Sequence, residues 1–212
     1  MKIILKISFS FCIVFSFLSC RKSHLEVDDI YYYNIIPDTT ITSVSSYYPF
    51  SGIPNPNDST ASIQIDLDND GINDITLSVS HYYQWQSASN PLSNYFYQSG
   101  LNMINSIDSI ATLNYYDTQF GVNLTVLNFL HINDAINSNL RYHTSATIKS
   151  IVFWGPSYNG PYGDSYVGFK IKRNGNYHYG WILISRSGSN LTIKEFALNR
   201  TPNRKILAGQ TQ

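Results

Sequence analysis

Several short stretches of the chain alternate between apolar and polar residues, which is the pattern of half-buried β-strands. The clearest is residues 166–172, where Val167, Phe169 and Ile171 alternate with polar or small residues. Asn174-Gly175 then predicts a tight hairpin turn. Residues 177–184 return from that turn, and residues 191–198 complete a three-stranded meander. Strands at this close spacing favour an antiparallel sandwich or barrel over a βαβ fold.

Other apolar stretches predict further strands at residues 30–36, 62–65, 75–80, 122–132 and 146–154. One stretch differs, because residues 101–110 place Ile104, Ile107 and Ile110 three apart. That spacing predicts a short helix. Residues 84–100 are rich in Ser, Asn and Gln with interspersed aromatic residues. Such a loop would either offer aromatic platforms to a sugar or cover the core, and its composition favours the second.

Composition strengthens the all-β prediction. Charged residues make up 13% of the chain, and 17 of its residues are tyrosine. Tyrosine favours strands, whereas the abundant asparagine favours turns. We therefore expect residues 29–212 to form a single jelly-roll-like β-sandwich of antiparallel strands with long loops, large enough to bury a core.

The N-terminus predicts export. Met1 and Lys2 are followed by Lys6 and an apolar run over residues 7–18, which is too short to span a membrane but typical of a signal peptide. Residues 17–20, Phe-Leu-Ser-Cys, resemble the bacterial lipobox. The resemblance implies cleavage after residue 19, a lipid on Cys20 and a lipidated tether over residues 20–28. A plain secretory signal is the alternative. Cys12 falls in the removed segment, so the mature chain is expected to contain no disulfide.

A cluster of acidic residues lies between two predicted strands. Counting Asp66 as the first position, Asp68 and Asp70 follow at alternate residues, and Gly71 supplies a sharp turn. This spacing of hard oxygen ligands predicts a calcium site. The predicted ligands are the carboxylates of Asp66, Asp68, Asp70 and Asp74 and the backbone carbonyl of Ile72. The alternative is a solvated Asp-Gly turn without a metal.

This calcium loop is not a helical calcium hand. Its twelfth position is Leu77 instead of glutamate, and its flanks alternate like strands. It resembles the shorter D-x-D-x-D-G-x-x-D loops of secreted bacterial β-proteins. With one chelating group missing, we expect a dissociation constant on the order of 10⁻⁴–10⁻³ M.

A second resemblance covers most of the mature chain. Residues 166–169, 177–181, 196–198 and 206–210, together with the acidic loop, resemble an uncharacterised group of exported bacterial β-proteins. The resemblance implies an exported β-fold and brings no activity with it.

The charges are distributed unevenly along the chain. Residues 21–140 contain two basic and twelve acidic side chains, whereas residues 141–212 contain ten basic and two acidic ones. In a sandwich, this asymmetry predicts charge complementarity between packed halves. The basic residues are scattered and the chain is predicted to be exported, so nucleic acid is not an expected partner.

The sequence contains no motif of a hydrolase elbow or phosphate loop, and no cysteine nucleophile is expected in the mature chain. His178 is expected to be packed or hydrogen-bonded in a strand, and Asp164 has no evident carboxylate partner. We therefore expect a non-catalytic envelope lipoprotein that binds glycan or protein, or that serves as a structural module. It would lie at the outer membrane, on the periplasmic face or the cell surface. A polysaccharide hydrolase with a carboxylate pair is the alternative.

Overall fold

The computed structural model describes residues 29–43, 59–84, 94–152, 158–188 and 190–212. Strands joined by turns account for this part of the chain, which confirms the predicted all-β fold. The predicted signal peptide, Cys20 and the tether lie outside the described residues, as do residues 85–93 of the loop predicted over residues 84–100. The loop prediction is wrong for residues 94–100, which belong to a strand. Within the same ranges, there is no helix long and apolar enough to cross a membrane.

The bounds of the strands follow in chain order. They are β1 Ile30–Thr42, β2 Ser59–Ile65, β3 Ile75–Gln84, β4 Asn94–Met103, β5 Ser109–Asp117, β6 Val122–Leu127, β7 Phe129–Leu130, β8 Ala135–Ile136, β9 Tyr142–His143, β10 Ser145–Val152, β11 Tyr158–Asn159, β12 Gly163–Arg173, β13 Asn176–Ser187, β14 Asn190–Asn199 and β15 Ile206–Leu207.

Most of these strands belong to one continuous sheet with the order β1-β14-β13-β12-β5-β6-β10-β4-β3-β2. We call the part from β1 to β12 the first half and the part from β6 to β2 the second half. Strand β5 joins the halves, because its start pairs with β12 and the rest pairs with β6. The pairing is antiparallel except between β6 and β10. β8 and β15 form a separate two-stranded sheet.

The main core lies between the two halves of the sheet. Strand alternation points Ile75, Leu77 and Val79 of β3 inward, where they pack with Phe169 and Ile171 of β12 in one buried cluster. Apolar burial of this kind supplies the largest favourable contribution to folding. The halves therefore form a sandwich.

A second, smaller core covers the outer face of the first half. Its centre is Trp181 on β13, which is fully buried and donates its indole N–H to the Gln210 carbonyl at 3.0 Å. Ile136 of β8 and Ile206 of β15 pack into the same cluster. The C-terminal residues 206–210 thus act as a cover for the first half.

The predicted meander is confirmed by β12, β13 and β14. Asn174 and Gly175 both have positive φ, as the predicted Asn-Gly turn requires. The predicted helix over residues 101–110 is wrong, because strand β4 continues to Met103 and β5 begins at Ser109. Ile104 and Ile107 are about half exposed in the intervening turn, so their spacing by three does not mark a buried helical face.

We expect Gly180→Ala to destabilise the fold, because a methyl group there would overlap the Phe169 ring and the Ala197 carbonyl oxygen. Overpacking of this kind costs about 1–3 kcal/mol. Gly168→Ala is the matched control, since its methyl group would meet only side-chain carbons of Ile136 and Ala111 at 3.2 and 3.3 Å. Urea unfolding of both variants checks the ranking, and an equal loss in both would contradict it.

Candidate cation site

The acidic loop connects β2 to β3 at one end of the sandwich. The Asp74 N–H donates to the Ile65 carbonyl at 2.8 Å and closes the base of the loop. Leu67 is fully buried and anchors the loop in the main core. Asn69 and Gly71 adopt positive φ, which lets the chain turn sharply between the carboxylates. The flanks are strands, as predicted.

Backbone N–H groups of the loop donate to its own carboxylates. Asp66 accepts from Asn69 and Gly71 at 2.7 Å each. Asp74 accepts from the Leu67 N–H at 2.7 Å, and Asp70 accepts from the Ile72 N–H at 2.8 Å. These bonds fix the directions of the carboxylates and hold the loop in a single arrangement.

The loop brings three of the predicted metal ligands together. Asp66, Asp68 and Asp74 each offer an oxygen, and these oxygens lie within 4.8 Å of one another. Asp70 lies at the edge of this cluster, with its side chain 41% exposed. The Ile72 side chain is exposed to solvent, and Ile72 can offer a metal only its backbone carbonyl.

The residue that organises the cluster is Arg173 at the end of β12, which no local sequence pattern predicted. Its Nε donates to Asp68 Oδ2 at 2.5 Å, and its Nη2 donates to Asp74 Oδ1. Its Nη1 lies 3.4 Å from Asp108 Oδ2. The uneven distribution of charge along the sequence was the available signal. It did not identify which basic residue would face the loop.

Asp108 joins the β4–β5 turn to the same cluster. Its carboxylate is fully buried and accepts the Lys172 N–H at 2.7 Å as well as the contact from Arg173. A buried carboxylate needs such partners, because an uncompensated one would carry a large desolvation penalty. Arg173 therefore links the acidic loop, the β4–β5 turn and the β12–β13 hairpin.

The cluster contains more negative than positive charge. Burial raises the pKa of Asp68 against the attraction of Arg173. It also raises the pKa of Asp74, against the hydrogen bond from the Leu67 N–H and the attraction of Arg173. Desolvation alone would lower the pKa of Arg173, but the attraction of Asp68 and Asp74 raises it. Both carboxyl groups have folded-state pKa values above their unfolded values. Their contribution to the free energy of unfolding is therefore present at low pH and is lost as the pH rises and they ionise.

The donor set fits a calcium ion. Calcium binds oxygen ligands at about 2.3–2.6 Å, so two oxygens on one ion lie no more than roughly 5 Å apart. The 4.8 Å cluster of Asp66, Asp68 and Asp74 meets this limit. Arg173 holds one oxygen each of Asp68 and Asp74, so a calcium ion would share these carboxylates with the guanidinium.

The other residues with candidate chemistry have ordinary structural partners. His178 lies on β13 with its Nδ1 3.3 Å from the Asn199 carbonyl oxygen, as expected for a hydrogen-bonded residue. Asp164 accepts a hydrogen bond from Lys194 at 2.8 Å. Glu195 accepts one from the Tyr32 hydroxyl at 2.5 Å.

Comparison with known proteins gives no assignment. No protein-family model, curated protein or solved structure matches the chain significantly.

We expect Arg173→Met to destabilise the calcium-free protein by roughly 3 kcal/mol, because it leaves Asp74 and Asp108 buried without their cation. Lys194→Met is the matched control. It breaks the exposed pair with Asp164, and exposed pairs contribute less than about 1 kcal/mol. Urea unfolding in chelator measures both variants. Equal small losses would show that Arg173 does not compensate the buried carboxylates.

Proposed function

We propose that the protein is a non-catalytic, exported β-sandwich that is anchored to the bacterial envelope by a lipid. In this proposal one calcium ion stabilises the acidic loop. The observation that carries the proposal is the convergence of loop carboxylates on the Arg173 guanidinium at one end of the fold. Four aspartates lie within 4 Å of Arg173, and a further guanidinium, that of Arg200, also donates to the loop. The remaining negative charge favours a further cation at this position.

Calcium would be held by Asp66, Asp68, Asp70, Asp74 and the backbone carbonyl of Ile72. When bound, the ion would supply positive charge against carboxylates that burial makes costly to ionise. The chain's own residues prepare this site, because backbone N–H groups orient Asp66 and Asp74, and Leu67 fixes the loop to the core. We propose a structural role, because the loop joins two core strands and its carboxylates are bonded to its own N–H groups and to Arg173.

Envelope anchoring is supported by the lipobox resemblance at Cys20 and the apolar segment that precedes it. Several acyl chains together anchor a protein durably, since each buried CH₂ contributes about 0.8 kcal/mol. We place the domain at the outer membrane, on the periplasmic face or the cell surface, where it binds glycan or an envelope protein.

Calcium at about 10 mM, roughly 10 to 100 times the expected dissociation constant, should stabilise the protein by about 1.4–2.7 kcal/mol. For a domain of this size that is a rise in Tm of roughly 3–10 °C. The double variant Asp66→Asn with Asp70→Asn should lose the rise while keeping the shortest contacts of Arg173. Asp38→Asn, an exposed change outside the loop, should keep it. Calorimetry measures the shift in Tm. A rise in the double variant equal to that of the natural chain would contradict the proposed calcium site.

Lipidation is tested by labelling the full chain with radioactive palmitate in a bacterial host. The natural chain and Cys12→Ala should both incorporate the label and sediment with membranes. Cys20→Ala should do neither, because the predicted acyl attachment site is gone. Label retained in Cys20→Ala would exclude this mode of anchoring.

A further inference from the structure

The outward face of the second half of the sheet is polar and uncharged across adjacent strands. Cross-strand pairing places Ser78 of β3, Gly100 of β4 and Thr147 of β10 in one row. Asn102 and Ser145 belong to the next row, and Ser80 pairs with Gln98 in the row on the other side. Paired residues present their side chains on the same face, so these rows form one continuous surface.

This surface contains a groove of about 390 Å³ lined by the same residues. Gly100 lies in the middle row, where the lack of a side chain deepens the groove. A methyl group at Gly100 would lie only 3.0 Å from the Ala146 carbonyl oxygen. The volume is within the range of small-molecule sites, about 300–1,000 Å³. The described residues that line the groove are hydroxyl, amide, glycine and alanine residues, and none of them carries a charge.

A pair of tyrosines flanks the groove. Tyr158 of β11 pairs with Ser150 of β10, which in turn pairs with Gln98 of the groove. This register puts Tyr158 on the same face as Gln98. The Tyr115 ring lies 5.0 Å from the Tyr158 ring, and Tyr115 is 39% exposed. The two rings therefore form an aromatic platform beside a polar groove.

Arg186 holds this platform in place. Its guanidinium is buried and donates to the Pro161 carbonyl at 2.9 Å, to Asn159 Oδ1 at 3.2 Å and to the Gly160 carbonyl. Gly160 approaches β10 so closely that a methyl group would overlap the Ile148 carbonyl oxygen. Tyr158 is thus carried by a segment that is fixed before any ligand arrives, which limits the entropy lost on binding.

We infer that this face binds a neutral oligosaccharide. Hydroxyl and amide side chains donate to and accept from sugar hydroxyls, and a tyrosine ring packs against the C–H face of a sugar ring. A lining without charge gives no attraction to anionic polymers or nucleic acid. The inference deepens the proposed function, because it assigns the ligand class and the site of the binding module.

The test uses the full chain purified in a detergent without a sugar headgroup. It is sedimented with insoluble cellulose, chitin, xylan, starch, mannan or β-1,3-glucan, and with cross-linked polygalacturonate as the anionic polymer. The protein should bind at least one neutral polymer. Asn102→Arg, which fills the exposed groove, and Tyr158→Ala, which removes the platform, should each lower the bound fraction at least fivefold.

Asn139→Arg and Tyr116→Ala are the matched controls, because both residues are exposed and neither lines the groove. Both should bind like the natural chain. Binding to no neutral polymer, binding to polygalacturonate alone, or equal binding by all variants would overturn the inference. Since Asn102 is exposed, Asn102→Arg decides the matter if Tyr158→Ala fails to fold. The calcium-dependent rise in Tm is measured on the same samples. It tests the proposed calcium site separately from glycan binding.

Discussion

One end of the sandwich depends on the contact between the Arg173 guanidinium and carboxylates from separate chain segments. Asp68 and Asp74 come from the loop between β2 and β3, whereas Asp108 comes from the β4–β5 turn. A planar guanidinium suits this task, because its five N–H donors point in fixed directions and reach several acceptors at once. A lysine would provide a single charged point. Packing of apolar strands holds the middle of the fold, and electrostatic attraction holds this end.

The hairpin of β2 and β3 connects the acidic loop to the groove. Ile65 and Ile75 pair directly at the base of the acidic loop, and the register continues outward to Ser62 paired with Ser78. Arg173 holds the loop at the base of this hairpin, and the same hairpin carries Ser78 and Ser80 into the groove. Under our two proposals, a calcium ion bound in the loop would preorganise a glycan-binding surface that the ion does not touch.

Local patterns predicted the strands and the acidic loop, because alternation and turn residues act over a few positions. The meander from β12 to β14 and the positive φ of Gly71 follow from such signals. Arg173 did not, since it meets Asp68 across 105 positions and nothing local specifies that contact. The groove was missed for the same reason: its rows come from strand order, which alternation leaves open. The false helix at residues 101–110 arose where a turn interrupts two strands.

The most direct test of the cation cluster is a double-mutant cycle between Arg173→Met and Asp74→Asn. Unfolding free energies are measured by urea denaturation in chelator for the natural chain, both single variants and the double variant. Because Arg173 contacts the buried Asp74 carboxylate directly, a coupling of at least about 1 kcal/mol is expected. Additive losses, within about 0.3–0.5 kcal/mol, would show that Arg173 does not hold the acidic loop.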